Sequence, residues 1–369
     1  MSQSANNILT INFGGIGDEI LFLPTLKQVR QALPEAKITL LVEPRSRSVE
    51  QVTDLIDEII TFDIKKRPLL PTDLWQLLSL IRAGSYDIVL SSGSSPQVAA
   101  LLFLSGIKTR IGYGSNTLAK FLLTHPVPLK RDQYAGNMYH DLVVGLYRYL
   151  DRTMASRGEV LIPQVTVKQE SRQAMAELLK NSGTNGGAPK EKLVLLHPGT
   201  STMAVQKGII KTWPSEHWLT LIERLAAPAD NSENGERENI RVILAGGPDD
   251  KEVIAALEAK LDARAGGRPQ NLQSFAGKTK GLSDLAALID LCDVMVCVDS
   301  APMHLAVGLN KKTVALFGPT EPEKLIPQSA NFTVLADRPA SPPRSLLDGL
   351  GVRLQPDIVY QSVLDLLKA

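Results

Sequence analysis

The chain is poor in cysteine: its 369 residues contain two, Cys292 and Cys297. They flank a strongly apolar stretch and have no Cys or His neighbours at zinc spacing. They therefore read as reduced core residues, not as a disulfide or zinc framework. Excess charge is also missing. Lysine and arginine total 40 against 39 aspartates and glutamates, a net charge of +1, whereas a nucleic-acid binder needs a strongly basic surface. Long apolar runs are absent too. The longest, Val98 to Ile107, is interrupted by Ser105 and Gly106 and is about half of the ~20 residues that cross a bilayer. The start, Met1 to Asn7, is polar and has no basic region ahead of an apolar core, so no signal peptide is expected. A cytoplasmic protein is the expectation, and peripheral contact with the inner face of the cytoplasmic membrane is compatible with it.

What is present is alternation. Hydrophobic residues make up 44% and charged residues 21%, ordinary globular usage that supports a core without staples. Short β-rich runs at Ile8–Phe13, Lys37–Val42, Glu58–Phe62, Asp87–Leu90 and Arg110–Tyr113 predict strands. Helical patterns fall between them at Asp18–Leu33, Ser46–Leu55, Thr72–Ala83 and Gln97–Leu104. The second half repeats the scheme. Strands are expected at Leu193–Leu196, Arg241–Ala245, Leu272–Phe275, Val294–Val298 and Thr313–Phe317, with helices at Ser215–Leu225, Asp250–Leu261, Leu282–Leu291 and Ala301–Gly308. Near-continuous apolar strands joined by helices imply parallel sheets and right-handed crossovers. The turn-rich segment Asn181–Pro189 separates the halves; Ala227–Asn239 and Ala265–Asn271 read as surface loops. The expected organisation is α/β: two tandem Rossmann-like doubly wound domains, 1–180 and 190–355, facing across a cleft, and a C-terminal helix in 356–369.

Where the first strand meets the first helix stands Gly14-Gly15-Ile16-Gly17-Asp18. Glycines there permit a sharp turn and close approach of a ligand. A dinucleotide fingerprint would place its third glycine at position 20, which is Ile20, although Glu43 ends the second strand as a ribose-binding acid would. Asp18 reads as a helix cap, as a general base at the carboxyl edge of the first strand, or as both.

The second half carries its polar residues just beyond strands. His197-Pro198-Gly199-Thr200-Ser201 follows one, with Lys207, Lys211, Trp213 and Pro214 after it. Hydroxyls, free backbone N–H groups and a lysine together suit phosphate oxygens. Asp299-Ser300-Ala301-Pro302-Met303-His304 follows another, where the start of a helix attracts anions such as a diphosphate. Asp299 would cap that helix or bind ribose hydroxyls; His304, one turn in, reads alone as a packed histidine. Gly318-Pro319-Thr320 and Gly246-Gly247-Pro248 mark further turns at the same sheet edge, where an open α/β sheet binds its ligand.

Together, G-G-I-G-D-E-I-L-F-L-P-T-L (14–26), H-P-G-T-S…K-T-W-P-S-E-H-W (197–218) and D-S-A-P-M-H-L-A…A-L-F-G-P-T-E-P (299–322) resemble the family 9 glycosyltransferases, the heptosyltransferases of lipopolysaccharide core assembly. T-R-I-G-Y-G (109–114) and L-L-T-H (122–125) are similar to that family's N-terminal domain. The resemblance implies a GT-B fold with the acceptor on the first domain and the nucleotide-sugar donor on the second. It also implies inverting transfer without a metal or other cofactor, from ADP-L-glycero-β-D-manno-heptose. By motif, Asp18 matches the family's proposed base, and Thr200, Ser201 and Lys211 its donor-phosphate residues. Asp299, Ser300, Ala301 and His304 match its D-[ST]-G-x-x-H donor loop, with Ala301 standing where the family often has glycine. The implied partner is an anionic, lipid-linked saccharide, for which Lys65, Lys66, Arg67, Lys130 and Arg131 are candidate contacts. Two other readings stay open at this point, a nicotinamide oxidoreductase using NAD and a non-catalytic GT-B protein that binds a nucleotide sugar.

Overall fold

The computed structural model describes residues 6–154, 160–180, 191–209, 211–227, 239–336 and 354–369. The turn-rich segment 181–189 and most of the polar stretch 227–239 lie outside the described residues. Chain contacts divide the protein into two units, Met1–Thr166 with Glu323–Pro327, and Val167–Pro322 with Gln328–Ala369.

In the first unit, six parallel strands form one sheet: β1 (Asn7–Ile11), β2 (Lys37–Val42), β3 (Glu58–Thr61), β4 (Ile88–Ser91), β5 (Thr109–Tyr113) and β6 (His125–Val127). Their spatial order is β3-β2-β1-β4-β5-β6. Strands β1, β2 and β4 are buried at nearly every position, as strands covered on both faces must be. In register, Ile8 pairs with Ile38 on one side and Ile88 on the other. The order reverses between β1 and β4, and the carboxyl ends of strands at such a switch point open a ligand crevice. That places the Gly14–Asp18 segment at the crevice of this sheet.

The second unit repeats the topology with β7 (Lys192–His197), β8 (Ile240–Leu244), β9 (Leu272–Ser274), β10 (Val294–Val298), β11 (Thr313–Phe317) and β12 (Phe332–Ala336). The order β12-β11-β10-β7-β8-β9 is the same arrangement, and its switch point lies between β7 and β10, paired from Val294↔Val194 to Cys297↔His197. The two segments singled out from the sequence, 198–201 and 299–301, thus leave adjacent strands at one edge. Cys292 and Cys297 are buried free thiols, and burial pushes the Cys292 thiol up to about 12, which makes it inert at neutral pH.

Helix Gln169–Lys180 groups by its contacts with the second unit, whereas the sequence expectation ended the first domain at residue 180. It packs on helix Leu282–Leu291 of the second unit, burying Met175 and Leu179, and Arg172 pairs with Asp290. The C-terminal helix, Pro356–Lys368, is part of the second unit as well. It sets Val359, Val363, Leu366 and Leu367 into the core formed with helix Ser215–Ala226, β10 and β11.

Candidate functional site

At the first switch point, helix Ile16–Ala32 begins after Gly15, and Asp18 stands in its first turn. The Asp18 carboxylate reaches back so that Oδ2 accepts the Gly15 N–H at 2.8 Å. Oδ1 accepts the Tyr139 hydroxyl at 3.0 Å. Gly15, not Asp18, is the N-cap residue, and Asp18 satisfies its N–H from inside the helix. Gly14 has to be glycine: a Cβ there would lie 2.2 Å from Asp18 Cβ. Burial, then the Asp18 charge, push the Tyr139 phenol well above its ordinary value, so it stays a proton donor to the carboxylate.

Two more carboxyls crowd this point. Glu19 is 1% exposed; burial first, then the Asp18 charge, raise it well above the usual 4.5, against opposing hydrogen bonds from Asn12 and the Gly14 backbone. Glu43, also buried, pairs with Arg45 at 2.8 Å and Lys65 at 2.7 Å. These two cations occupy the acid that a dinucleotide fold would turn to a ribose. The Ser46 hydroxyl donates to the Gly14 carbonyl at 3.0 Å, and Asn12 Oδ1 accepts from Ser92 at 2.5 Å. The glycine loop is thus built around carboxylates, and the helix end that would hold a pyrophosphate carries Asp18 instead. A diphosphate placed there would meet like charge.

The remaining basic candidates of this unit have separate surroundings. Lys66 pairs with Asp73 at 3.1 Å, and Arg67 donates to the Ile64 and Lys66 carbonyls. Lys130 is exposed. Arg131 donates to Ser94 Oγ at 3.3 Å and with Lys120 lines a cavity of about 530 Å³ beside Gly114 and Pro126.

In the second unit, Lys211 Nζ lies 2.7 Å from Asp299 Oδ2, and the same oxygen accepts the Thr320 hydroxyl at 2.7 Å. The ends of β10 and β11 and the loop after β7 therefore meet at one carboxylate. Asp299 does not cap the helix that follows it, as the sequence had allowed. Ser300 is the N-cap position of helix Ala301–Gly308, and its hydroxyl donates to the Val298 carbonyl at 3.2 Å instead of accepting from the helix. The first-turn N–H groups thus have no side-chain cap, two residues from an aspartate that holds a lysine. His304, one turn in, is buried. Ser201 caps the short helix Thr202–Gln206 by accepting the Ala204 N–H at 3.3 Å, and Thr200 is half-buried ahead of it.

Lys211 is fixed by its neighbours. Trp213 donates its indole N–H to the Leu354 carbonyl at 3.0 Å and stacks edge-on with Trp218 at 5.1 Å. The aromatic pair anchors the segment from below while Lys211 stays at the edge. Behind the 198–201 turn, Asp250 Oδ2 accepts the Gly247 N–H at 2.8 Å and lies 3.4 Å from His197 Nε2. Burial lowers His197 and keeps it neutral. A Cβ on Gly199 would fall 1.7 Å from Asp250 Oδ1, so this glycine is needed for close approach.

Sequence reading missed Tyr139, Glu19 and Asp250. Tyr139 lies 121 residues from Asp18, with no local signal. Asp250 ends the 3-10 turn Pro248–Asp250 that follows Gly246-Gly247, a pattern that reads as a helix start and no more. Among the described residues, no group of three or more His, Cys, Asp or Glu could hold a metal ion, and no helix is long and apolar enough to cross a membrane.

In the first sheet a carboxylate stands at the helix end where a dinucleotide fold would hold a pyrophosphate, and in the second the helix after β10 begins without a side-chain cap. Comparison with known proteins places the chain: the model of glycosyltransferase family 9 (heptosyltransferase) matches residues 74–349, and the protein belongs to that family. It is a glycosyltransferase, and the oxidoreductase alternative falls. Lipopolysaccharide heptosyltransferase 3 of Escherichia coli is 23% identical over 311 residues, 83% of this chain and 81% of that protein. Among solved structures, E. coli ADP-heptose lipopolysaccharide heptosyltransferase II superposes with a TM-score of 0.71 at 22% identity, covering 98% of both chains. E. coli heptosyltransferase WaaC with ADP gives 0.64 at 19% identity, covering 97% of both. These likenesses carry the GT-B fold.

Proposed function

We propose that the protein moves a heptose or closely related sugar from an ADP-sugar to an anionic, lipid-linked saccharide of the lipopolysaccharide-core type, with inversion at the anomeric carbon. The observation that carries the donor side is the second switch point, where Lys211 stands at Asp299 and the N-terminus of helix Ala301–Gly308 has no side-chain cap. A diphosphate at that helix end would take hydrogen bonds from first-turn N–H groups and draw the Lys211 ammonium toward itself, leaving Asp299 with Thr320. The donors of the Thr200–Ser201 turn would meet the remaining phosphate oxygens. Ala301 still offers its N–H, so the missing glycine leaves this contact available. An ADP nucleotide is favoured because relatives carry it by name, a bound ADP in one and ADP-heptose in the other.

Asp18 is the base in this reading. Its carboxylate would take the proton of the acceptor hydroxyl as that oxygen attacks the anomeric carbon. The bond to the diphosphate breaks on the opposite side, and the negative charge passes to ADP. Preorganised donors stabilise the charge that develops on a leaving group, so Lys211 and the helix end would do this without a metal. Tyr139 and the Gly15 N–H hold the carboxylate in one orientation. Lys65, held by Glu43, and the exposed Lys66, Arg67, Lys130 and Arg131 would meet the acceptor's anionic groups. The test is turnover of ADP-heptose with candidate acceptors in EDTA, following ADP release and the anomeric configuration of the product by NMR. Release of ADP with an inverted product supports the proposal; a retained configuration, or a strict metal requirement, overturns it.

A further inference from the structure

Among the described residues, the largest concentration of exposed apolar side chains lies in the first unit on three successive helices. Helix Pro71–Ala83 presents Leu74 and Trp75 with its N-cap residue Leu70, helix Pro96–Leu104 presents Phe103 and Leu104, and helix Thr117–Leu122 presents Leu118 and Phe121. Trp75 is 64% exposed and Phe121 82%. Monomeric proteins rarely leave clustered large apolar groups in water without use.

Two arginines join the helices. Arg82 lies 6.0 Å from the Trp75 ring and donates to the Leu104 carbonyl at 2.6 Å. Arg110 lies 5.4 Å from the Phe103 ring and donates to the Leu122 carbonyl at 2.9 Å. Helices Pro96–Leu104 and Thr117–Leu122 also pack on each other. Aromatic and aliphatic groups are thereby fixed next to guanidinium groups on one face.

Charge decides what covers it. Between Asp87 and Asp132 the sequence has no acidic residue, and it has Lys108, Arg110, Lys120, Lys130 and Arg131. On helix Pro71–Ala83 the one acid, Asp73, is tied to Lys66 and to the Leu70 N–H. The chain's net charge is +1, so this segment departs from a balanced whole. A protein partner would need a matching acidic and apolar face; an anionic bilayer offers both at once. Phe, Trp and Leu enter the boundary between headgroups and acyl chains while Lys and Arg reach the phosphates.

We infer that this face, centred on Trp75, Phe103 and Phe121, docks the protein reversibly on the surface of an anionic phospholipid bilayer. Lys120 belongs both to this face and to the cavity it lines with Arg131, so the bound lipid surface adjoins a cationic cavity. The inference stands apart from the identity of the donor sugar or of the acceptor.

The test is co-sedimentation of the full chain with vesicles of phosphatidylcholine alone and of phosphatidylcholine mixed with phosphatidylglycerol. The protein is expected to pellet with the anionic vesicles, to stay in solution with phosphatidylcholine alone, and to be released by high salt. Phe121→Ser and Trp75→Ser should each lower the partition coefficient about tenfold or more, and Lys108→Gln about fivefold. Thermal unfolding midpoints equal to the parent's show that these surface variants fold. An internal probe is available, because Trp213 and Trp218 are buried at 2% and 1% exposure and Trp75 is the exposed tryptophan. Anionic vesicles should shield Trp75 from iodide, and brominated lipid should quench it. Equal binding to both vesicle types, unchanged binding by Phe121→Ser and Trp75→Ser, or a dimer in solution that Phe121→Ser dissolves without any vesicle binding would each overturn the inference.

Discussion

Asp18→Asn separates the capping contact the structure shows for this residue from the base role proposed for it. Its carboxylate holds the Gly15 N–H at 2.8 Å and the Tyr139 hydroxyl at 3.0 Å. Asparagine keeps the shape and one acceptor oxygen, so the bond to Gly15 can persist, and Tyr139 can turn its hydroxyl to accept from the amide. Losing a capping interaction outright costs about 0.5–2 kcal/mol, and a partial loss costs less. Typical domain stability is about 5–15 kcal/mol, so the variant stays folded. The amide cannot accept a proton. A positioned base contributes roughly 10²–10⁴-fold, equivalent to about 2.7–5.5 kcal/mol on the barrier. The expected result is a fall in kcat of that size, with a small drop in thermal midpoint and ADP affinity equal to the parent's. ADP release under saturating donor and acceptor gives kcat, and calorimetry gives the affinity. A kcat within threefold of the parent would refute the base assignment and leave Asp18 a capping residue.

Lys211→Ala should weaken ADP binding by about 1.5–3 kcal/mol, the range for a hydrogen bond to a charged group, or roughly ten- to 150-fold in Kd; unchanged affinity would remove Lys211 from the donor site. Glu19→Gln tests the buried carboxyl. Because its folded value is raised above 4.5, the unfolded chain gives up this proton first as pH rises. Parent stability should therefore decline relative to the variant from about pH 4.5 upward, until the folded carboxyl itself titrates, by at most about 1.4 kcal/mol per pH unit. Parallel curves of unfolding free energy against pH would contradict this. Gly199→Ala puts a Cβ 1.7 Å from Asp250 Oδ1 and should destabilise the second unit by about 1–3 kcal/mol, read as a lower denaturant midpoint; a parental midpoint would show that Asp250 can yield freely.

The central strands were legible because they are apolar along their whole length, and Lys37–Val42, Val294–Val298 and Thr313–Phe317 have the bounds expected from sequence. The edges were not. β6 is three residues long and contains Pro126, which sequence rules demote and which only an edge strand tolerates. β12 is half-exposed and lacks the apolar continuity of a central strand. Helix Gln169–Lys180 was not among the helices expected from sequence, and its place is set by Met175 and Leu179, which pack at long range against helix Leu282–Leu291. At the sites, residues on one loop were found together, Thr200 with Ser201 and Asp299 with Ala301. Contacts that close over a hundred residues, Tyr139 to Asp18 or Trp213 to Leu354, leave no spacing to read. Lys211 with Asp299 lies between these cases: both were singled out from sequence, and their 2.7 Å contact stands in place of the helix cap that was one of the expectations for Asp299.

The most direct test of an ADP-sugar donor site is calorimetric titration of the purified protein with ADP, GDP, UDP and NAD in EDTA. Tightest binding of ADP, with no metal present, is the result expected if Lys211 and the open end of helix Ala301–Gly308 hold the diphosphate. Preference for NAD, or no binding of any nucleotide, would contradict it.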